Sequence, residues 1–200
     1  MKYNFPHIFH LDEVKPAIEG VEGFIIAERE WGWVVNYVQM GPHIFPAVET
    51  NNDAIRREAR GLIFCPVTKR ITRRPLTKFF NINEREETQL KNLDFSIPHR
   101  VYTKMDGSMI VPFEIEYGSG IVRWGTKMGA GTEVAMAAEV FVADNPQYQK
   151  FAKWCIKQDI SPIFEYTAPN NRIVLKYDKP MMTLLAARNM ITGEYIDICS

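Results

Sequence analysis

Apolar and polar positions along this chain mostly follow a period of two, and switch to helical spacing in one central stretch. Phe24–Glu28 and Trp33–Gln39 are short β-rich runs on either side of Glu30–Gly32, which predicts a hairpin. Gly61–Cys65 reads as a short buried strand. Arg100–Lys104, Ser108–Glu116 and Gly120–Thr126 read as consecutive strands, the last two joined at Gly118-Ser119. Ile163–Thr167, Asn171–Tyr177 and Met181–Ala187 return to strand character. Between these groups, Thr132–Val142 and Gln147–Gln158 carry helical periodicity and are separated by Asn145-Pro146. The second helix puts Phe151, Trp154 and Cys155 on a stripe expected to face the core. Glu84–Leu93 reads as a polar, exposed helix, and Gly41 through Asn52 as a loop. Many strands with one inserted helical pair predict an α+β fold with mostly antiparallel sheets rather than a doubly wound one.

Composition narrows the class. Two hundred residues suit one domain, or a domain with part of another. Lys and Arg total 24 and so do Asp and Glu, so the surface as a whole does not attract polyanions. One local cluster, Lys69, Arg70, Arg73, Arg74 and Lys78, is either a solvated edge strand and turn or a nucleic-acid contact. Cys65, Cys155 and Cys199 have neither disulfide-framework nor zinc-ligand spacing, which points to a reducing compartment. The opening residues MKYNFPHIFHLDEV lack a signal-peptide apolar run, and no stretch is long enough to span a bilayer. A cytoplasmic protein without a membrane partner is expected, in the host cytoplasm if the source is viral. His7, His10, His43 and His99 show no metal spacing and read as surface or loop residues.

The chemistry concentrates at Lys104-Met105-Asp106-Gly107, a Lys-x-Asp-Gly run between β-rich segments. A lysine attacks only as the neutral amine, and an ordinary lysine, with a pKa near 10.4, is almost wholly charged at neutral pH. Desolvation at the end of a buried strand, or a neighbouring cation, would favour the neutral form. Gly107 allows a tight turn and close approach to a ligand.

Further segments accompany it in order: Ala59-Arg60-Gly61, Lys78-Phe79-Phe80-Asn81, Thr126-Lys127-Met128-Gly129, and Phe164-Glu165-Tyr166 continuing through Asn171-Arg172-Ile173-Val174. With these motifs the chain resembles the adenylyltransferase domain of ATP-dependent RNA ligases of the phage tRNA-repair type, the RNA ligase 1 family. The resemblance runs from about Trp31 to Ser200. It implies a nucleotidyltransferase fold whose sheets surround a nucleotide cleft. It also implies ATP and Mg2+ (or Mn2+) as cofactors, and RNA 5′-phosphate and 3′-hydroxyl ends, such as those of nicked tRNA, as substrate. Lys104 would attack the α-phosphorus and carry AMP. The AMP would pass to an RNA 5′-phosphate, and a 3′-hydroxyl would then displace it.

The resemblance gives other residues nucleotide-binding roles, each beside a plainer alternative. Arg60 would reach phosphate or ribose, or pair with Glu58 or another carboxylate. Lys78 would hold phosphates, or be solvated. Phe80 would line the nucleotide pocket, or be a core aromatic. Lys127 would bind phosphate and favour the neutral amine of Lys104, or be an exposed turn residue. Glu165 would bind a ribose hydroxyl or a magnesium-bound water, or pair with Arg172. Tyr37 lies near the nucleotide in the family, or packs on its hairpin. Asp106 would orient Lys104 or brace the turn, and Gly107 completes the loop.

DNA ligases and capping guanylyltransferases share Lys-x-Asp-Gly but carry an Arg where this chain has Met109. The family's later Glu-Gly strand and Lys-x-Lys segment have no counterpart before Ser200. The expectation is therefore an adenylyltransferase domain over 1–200, incomplete at its C-terminus or completed by a partner chain, without a separate RNA-specificity domain. A non-catalytic RNA-end-binding module using the Lys69–Lys78 cluster is the competing expectation.

Overall fold

The computed structural model describes residues 4–39, 41, 44–171 and 173–198. Among these, nine strands form two antiparallel sheets, so the α+β expectation holds. The first sheet runs β1-β2-β3-β4, with β1 Phe24–Arg29, β2 Gly32–Tyr37, β3 Leu62–Phe64 and β4 Ile71–Arg73. The second runs β6-β5-β7-β8-β9, with β5 Ser108–Glu114, β6 Val122–Gly125, β7 Ile160–Thr167, β8 Met181–Asn189 and β9 Tyr195–Ile196.

Two short helices, α1 (Leu11–Ile18) and α2 (Asn51–Glu58), lie beyond what apolar spacing predicts. Both are set by reciprocal caps. In α2 the Thr50 hydroxyl accepts from the Asp53 amide at 3.2 Å, and the Asp53 carboxylate accepts from the Thr50 amide at 2.9 Å. Glu84–Leu93 is two 3-10 turns, Glu86–Thr88 and Leu90–Asn92, rather than one helix, and is exposed as expected. The segment 100–104 is exposed and outside any strand. The described residues of Asn171–Tyr177 also lie outside any strand, with 173–176 exposed and Asn171 and Tyr177 half-buried; Arg172 lies outside the described residues.

The central helices are α3 (Glu133–Asp144) and α4 (Pro146–Lys157), packed on one face of the second sheet. Trp124 and Tyr148 meet Phe164 at 5.5 and 6.0 Å, and Phe141 meets Tyr166 at 6.0 Å. Only part of the expected α4 stripe is core. Ala152, Cys155 and Ile156 are buried, whereas Phe151 and Trp154 face outward. Strand alternation then decides the site: with Phe164 and Tyr166 turned to the helices, Glu165 faces the opposite side of β7.

A buried ionic hub joins the two sheets. The Glu58 carboxylate, at the end of α2, accepts from Arg74 Nε at 3.0 Å and from Arg188 Nη1 and Nη2 at 2.9 and 3.1 Å. All three side chains are fully buried. Arg74 also donates to the carbonyls of Pro6 and Ile191, and Arg188 to those of Gly193 and Pro75. Burial pushes Glu58 up, but the two guanidiniums outweigh it and hold the carboxyl below its ordinary range.

Candidate active site

On the face of β7 opposite α3 and α4, the Lys-x-Asp-Gly run meets the Glu165 strand. The Gly107 amide donates to Glu165 Oε1 at 3.1 Å. A side chain at position 107 would collide with the Tyr166 carbonyl and the Thr167 methyl, so only glycine lets this loop sit against β7. Asp106 braces the next loop: its Oδ2 accepts from the Val174 and Leu175 amides at 2.6 and 2.5 Å, and its own amide donates to Tyr177 Oη at 3.1 Å. Lys104 is exposed, in an extended segment ahead of β5 rather than at the end of a buried strand, because the second sheet begins only at Ser108.

Glu165 is partly buried, and desolvation raises its pKa despite the Gly107 hydrogen bond and the opposing charges of Lys104 and Arg60. Lys104 and Arg60 are thus within electrostatic reach of one carboxylate. Arg60 does not pair with Glu58, which is committed to Arg74 and Arg188. It lies over Phe79 at 5.0 Å and reaches Met109 Sδ at 3.8 Å, and Met109 stands opposite Glu165 in the β5–β7 register. The Glu165–Arg172 pairing lies outside the described residues.

The cationic wall continues from Arg60. Lys78 Nζ sits 4.1 Å above Phe80 and donates to the Phe79 carbonyl at 2.6 Å. Burial lowers its pKa and the neighbouring Arg60 and Arg85 lower it further, while Tyr37 and Glu84 oppose them. Phe80 packs at 6.2 Å from Phe45 and carries Arg57 and Arg85 at 4.7 and 4.8 Å as well as Lys78. Tyr37 packs edge-on against Phe45 at 5.1 Å and holds Lys127 Nζ at 4.0 Å over its ring, so it packs and also meets a cation. Lys127 is half-buried in the Thr126–Gly129 turn rather than fully exposed. Contacts thus run from Arg60 through Phe79, Lys78, Phe80 and Phe45 to Tyr37 and Lys127, while Gly107 meets Glu165 in the loop that also carries Lys104 and Asp106.

A residue with no expected site role supports these contacts. Arg73 is fully buried at the end of β4, and its guanidinium donates to the carbonyls of Gly61, Thr126 and Lys127 at 2.9, 3.0 and 3.5 Å. Desolvation lowers its pKa to about 9. It ties the loop carrying Lys127 to the segment carrying Arg60. Burial of Arg73 and Arg74 also dissolves the expected Lys69–Lys78 patch, because two of its five cations are structural. Arg57, buried and paired with Glu87 and the Pro46 carbonyl, supports Phe80 from behind, and Arg85 lies over the same ring. A lone arginine in a polar helix or turn carries no sequence signal for such a role.

Among the described residues, no three His, Cys, Asp or Glu side chains converge as ligands for a metal ion. His10 caps α1, His7 and His99 are exposed, and His43 lies outside the described residues. Cys65 and Cys155 are unpaired and buried, and Cys199 lies outside the described residues. No helix among the described residues is long and apolar enough to cross a membrane.

This arrangement of antiparallel sheets, a Lys-x-Asp-Gly loop, an apposed Glu and a cationic wall has a family. The family model described as RNA ligase matches residues 58–198, and the chain belongs to the RNA ligase family, of the RNA ligase 1 type. It is 30% identical over 152 residues to a "Putative RNA ligase" of Thermovibrio ammonificans, an alignment covering 76% of this chain and 39% of that protein. It is 29% identical over 157 residues to a "Putative bifunctional polynucleotide kinase/RNA ligase" of Autographa californica nuclear polyhedrosis virus, covering 69% of this chain and 22% of that protein. The chain therefore spans well under half the length of either curated relative.

Proposed function

We propose that this chain has a nucleotidyltransferase fold and is the adenylyltransferase part of an ATP-dependent RNA ligase, with Lys104 as nucleophile. The observation that carries the reading is that the Gly107 amide ties the Lys-x-Asp-Gly loop to the Glu165 carboxylate at 3.1 Å. Nucleophile, carboxylate and phosphate-binding cations then face one substrate.

Three displacements at phosphorus follow. Lys104 Nζ forms a bond to the α-phosphorus of ATP as the bond to pyrophosphate breaks, and the amine gives up its proton. An RNA 5′-phosphate oxygen next attacks the same phosphorus, releasing Lys104 and forming an RNA-adenylate. Finally a 3′-hydroxyl attacks the RNA 5′-phosphorus, AMP leaves with the bonding electrons, and a phosphodiester is made. Arg60, Lys78 and Lys127 stabilise charge that builds on the phosphoryl oxygens, and loss of one such preorganised donor costs about 3 kcal/mol. Glu165 accepts from a ribose hydroxyl, and Phe80 and Tyr37 shape the pocket. Asp106 and Gly107 hold the nucleophile's loop.

Magnesium fits as a companion of the phosphates, because Mg2+ keeps several waters and takes one or two carboxylates rather than a protein cage. Glu165 is the carboxylate suited to one of those waters; Asp106 is occupied by the Val174 and Leu175 amides. Bound there, the ion would neutralise phosphate charge.

The reading is tested by supplying ATP, Mg2+ and a single-stranded RNA with 5′-phosphate and 3′-hydroxyl ends. Labelled RNA-adenylate and joined RNA are expected. A chain that forms neither species, and no protein-bound AMP, would refute it.

A further inference from the structure

The helix α4 presents a second surface that the proposed chemistry does not use. From Pro146 to Lys157 it contains no Asp or Glu, and Lys150, Lys153 and Lys157 are all exposed. Their spacing of three and four residues puts them on one face. On the shoulder of that face Phe151 and Trp154 are 37% and 59% exposed, with rings stacked at 6.2 Å and an interplanar angle of 23°. Beside them an open apolar groove is lined by Tyr148, Phe151, Phe164, Met182 and Leu184, together with Gln147. Of the acids flanking α4 in sequence, Asp159 is paired with Arg70, and Asp144, exposed, stands before the helix N-terminus, at the end away from Lys153 and Lys157.

Core packing accounts for only part of this: Phe151 meets the buried Phe164 edge-on at 6.3 Å and α4 buries Ala152, Cys155 and Ile156, which leaves Trp154 and the three lysines exposed. A row of lysines beside an exposed aromatic stack matches a charged, planar partner. Lysines meet successive phosphates, and an aromatic face accepts an unstacked base whatever its identity. We propose that the outer face of α4 holds a single-stranded stretch of the RNA substrate. Because α4 covers the face of the second sheet opposite Glu165, this surface grips the RNA away from its reacting end. That the strand is RNA rests on the ligase reading; that it is a single-stranded polyanion rests on the lysines and the exposed stack.

The test compares the full chain with Trp154→Ala and with a Lys150→Gln/Lys153→Gln/Lys157→Gln variant. Each is titrated with single-stranded RNA over a range of salt. In parallel, each is labelled with α-labelled ATP. Trp154→Ala is expected to weaken RNA binding about tenfold. The triple variant is expected to lower the slope of log affinity against log salt by about 2, with AMP labelling unchanged. Unchanged affinity and slope in these variants would overturn the inference. So would a concentration-dependent dimer that is lost in Trp154→Ala while RNA binding is not. If the triple variant is less stable, photocrosslinking of RNA to the unaltered chain decides: cross-linked α4 peptides support the proposal, and cross-links confined to other elements overturn it. A chain that binds RNA through α4 yet never takes up AMP refutes the ligase reading and leaves this one standing.

Discussion

The Gly107 amide donates to the Glu165 carboxylate at 3.1 Å, so the loop that follows Lys104 is registered against β7 by a carboxylate on the face opposite α3 and α4. Two motifs separated by 58 residues are one structural unit. Gly107→Ala would drive a methyl into the Tyr166 carbonyl, and such overpacking costs about 1–3 kcal/mol. At about 2–4 °C per kcal/mol for a chain this size, the thermal midpoint should fall by several degrees. On the proposed reading AMP labelling should fall much further, because the loop carrying Lys104 is displaced. Thermal melts and labelling of the same preparation check both effects.

Arg73 is a positioning residue for Lys127. Arg73→Met takes the guanidinium away from the carbonyls of Gly61 and Lys127, while that of Thr126 still accepts from the Gly129 amide at 2.8 Å, and each buried group left unsatisfied costs about 1–3 kcal/mol. The ATP concentration needed for half-maximal labelling should rise at least as much as in Lys127→Ala. Arg73→Lys, which restores part of the donor set, should recover some of it. Labelling against ATP concentration separates this from simple instability, since Lys127→Ala removes only a half-buried turn side chain and should melt within about 1 kcal/mol of the parent.

The Glu58 hub governs acid stability. Its carboxyl is held below the ordinary value of 4.5, so its contribution is fully present above that value and is lost as pH falls through the lowered folded value. Glu58→Gln leaves Arg74 and Arg188 buried against a neutral amide, a loss of about 3–5 kcal/mol. Melts from pH 3 to pH 7 should show the variant destabilised at neutral pH and flatter than the parent in the acid range. An identical pH profile for the two proteins would contradict this account of the hub.

Much of this was legible in the chain. The β1–β2 hairpin, the two central helices and the ordered motifs around Lys104 follow from local spacing, which is what sequence carries best. What escaped was decided by tertiary contact. α2 contains few apolar residues, because part of the face it buries is Arg57 and Glu58; its visible signal was the Thr50-x-x-Asp53 cap. Residues 100–104 have strand composition but no strand partner, so they stay extended and exposed. The cluster from Lys69 to Lys78 reads as a surface patch until Glu58, Ser161 and several backbone carbonyls enclose Arg73 and Arg74. Trp154 carries the periodicity of a core residue and lies outside it. Strand alternation, a local rule, put Glu165 on the face that meets Gly107. The support that Arg73 gives the Lys127 loop is a long-range one.

The most direct test of the central claim is peptide-level mass analysis after incubation with ATP and Mg2+, alongside Lys104→Ala. Lys104 is exposed, so its removal should leave the thermal midpoint within about 0.5 kcal/mol of the parent. The account predicts one AMP group on Lys104, and none on the variant despite its intact fold. AMP attached to another residue, or retained by Lys104→Ala, would contradict it.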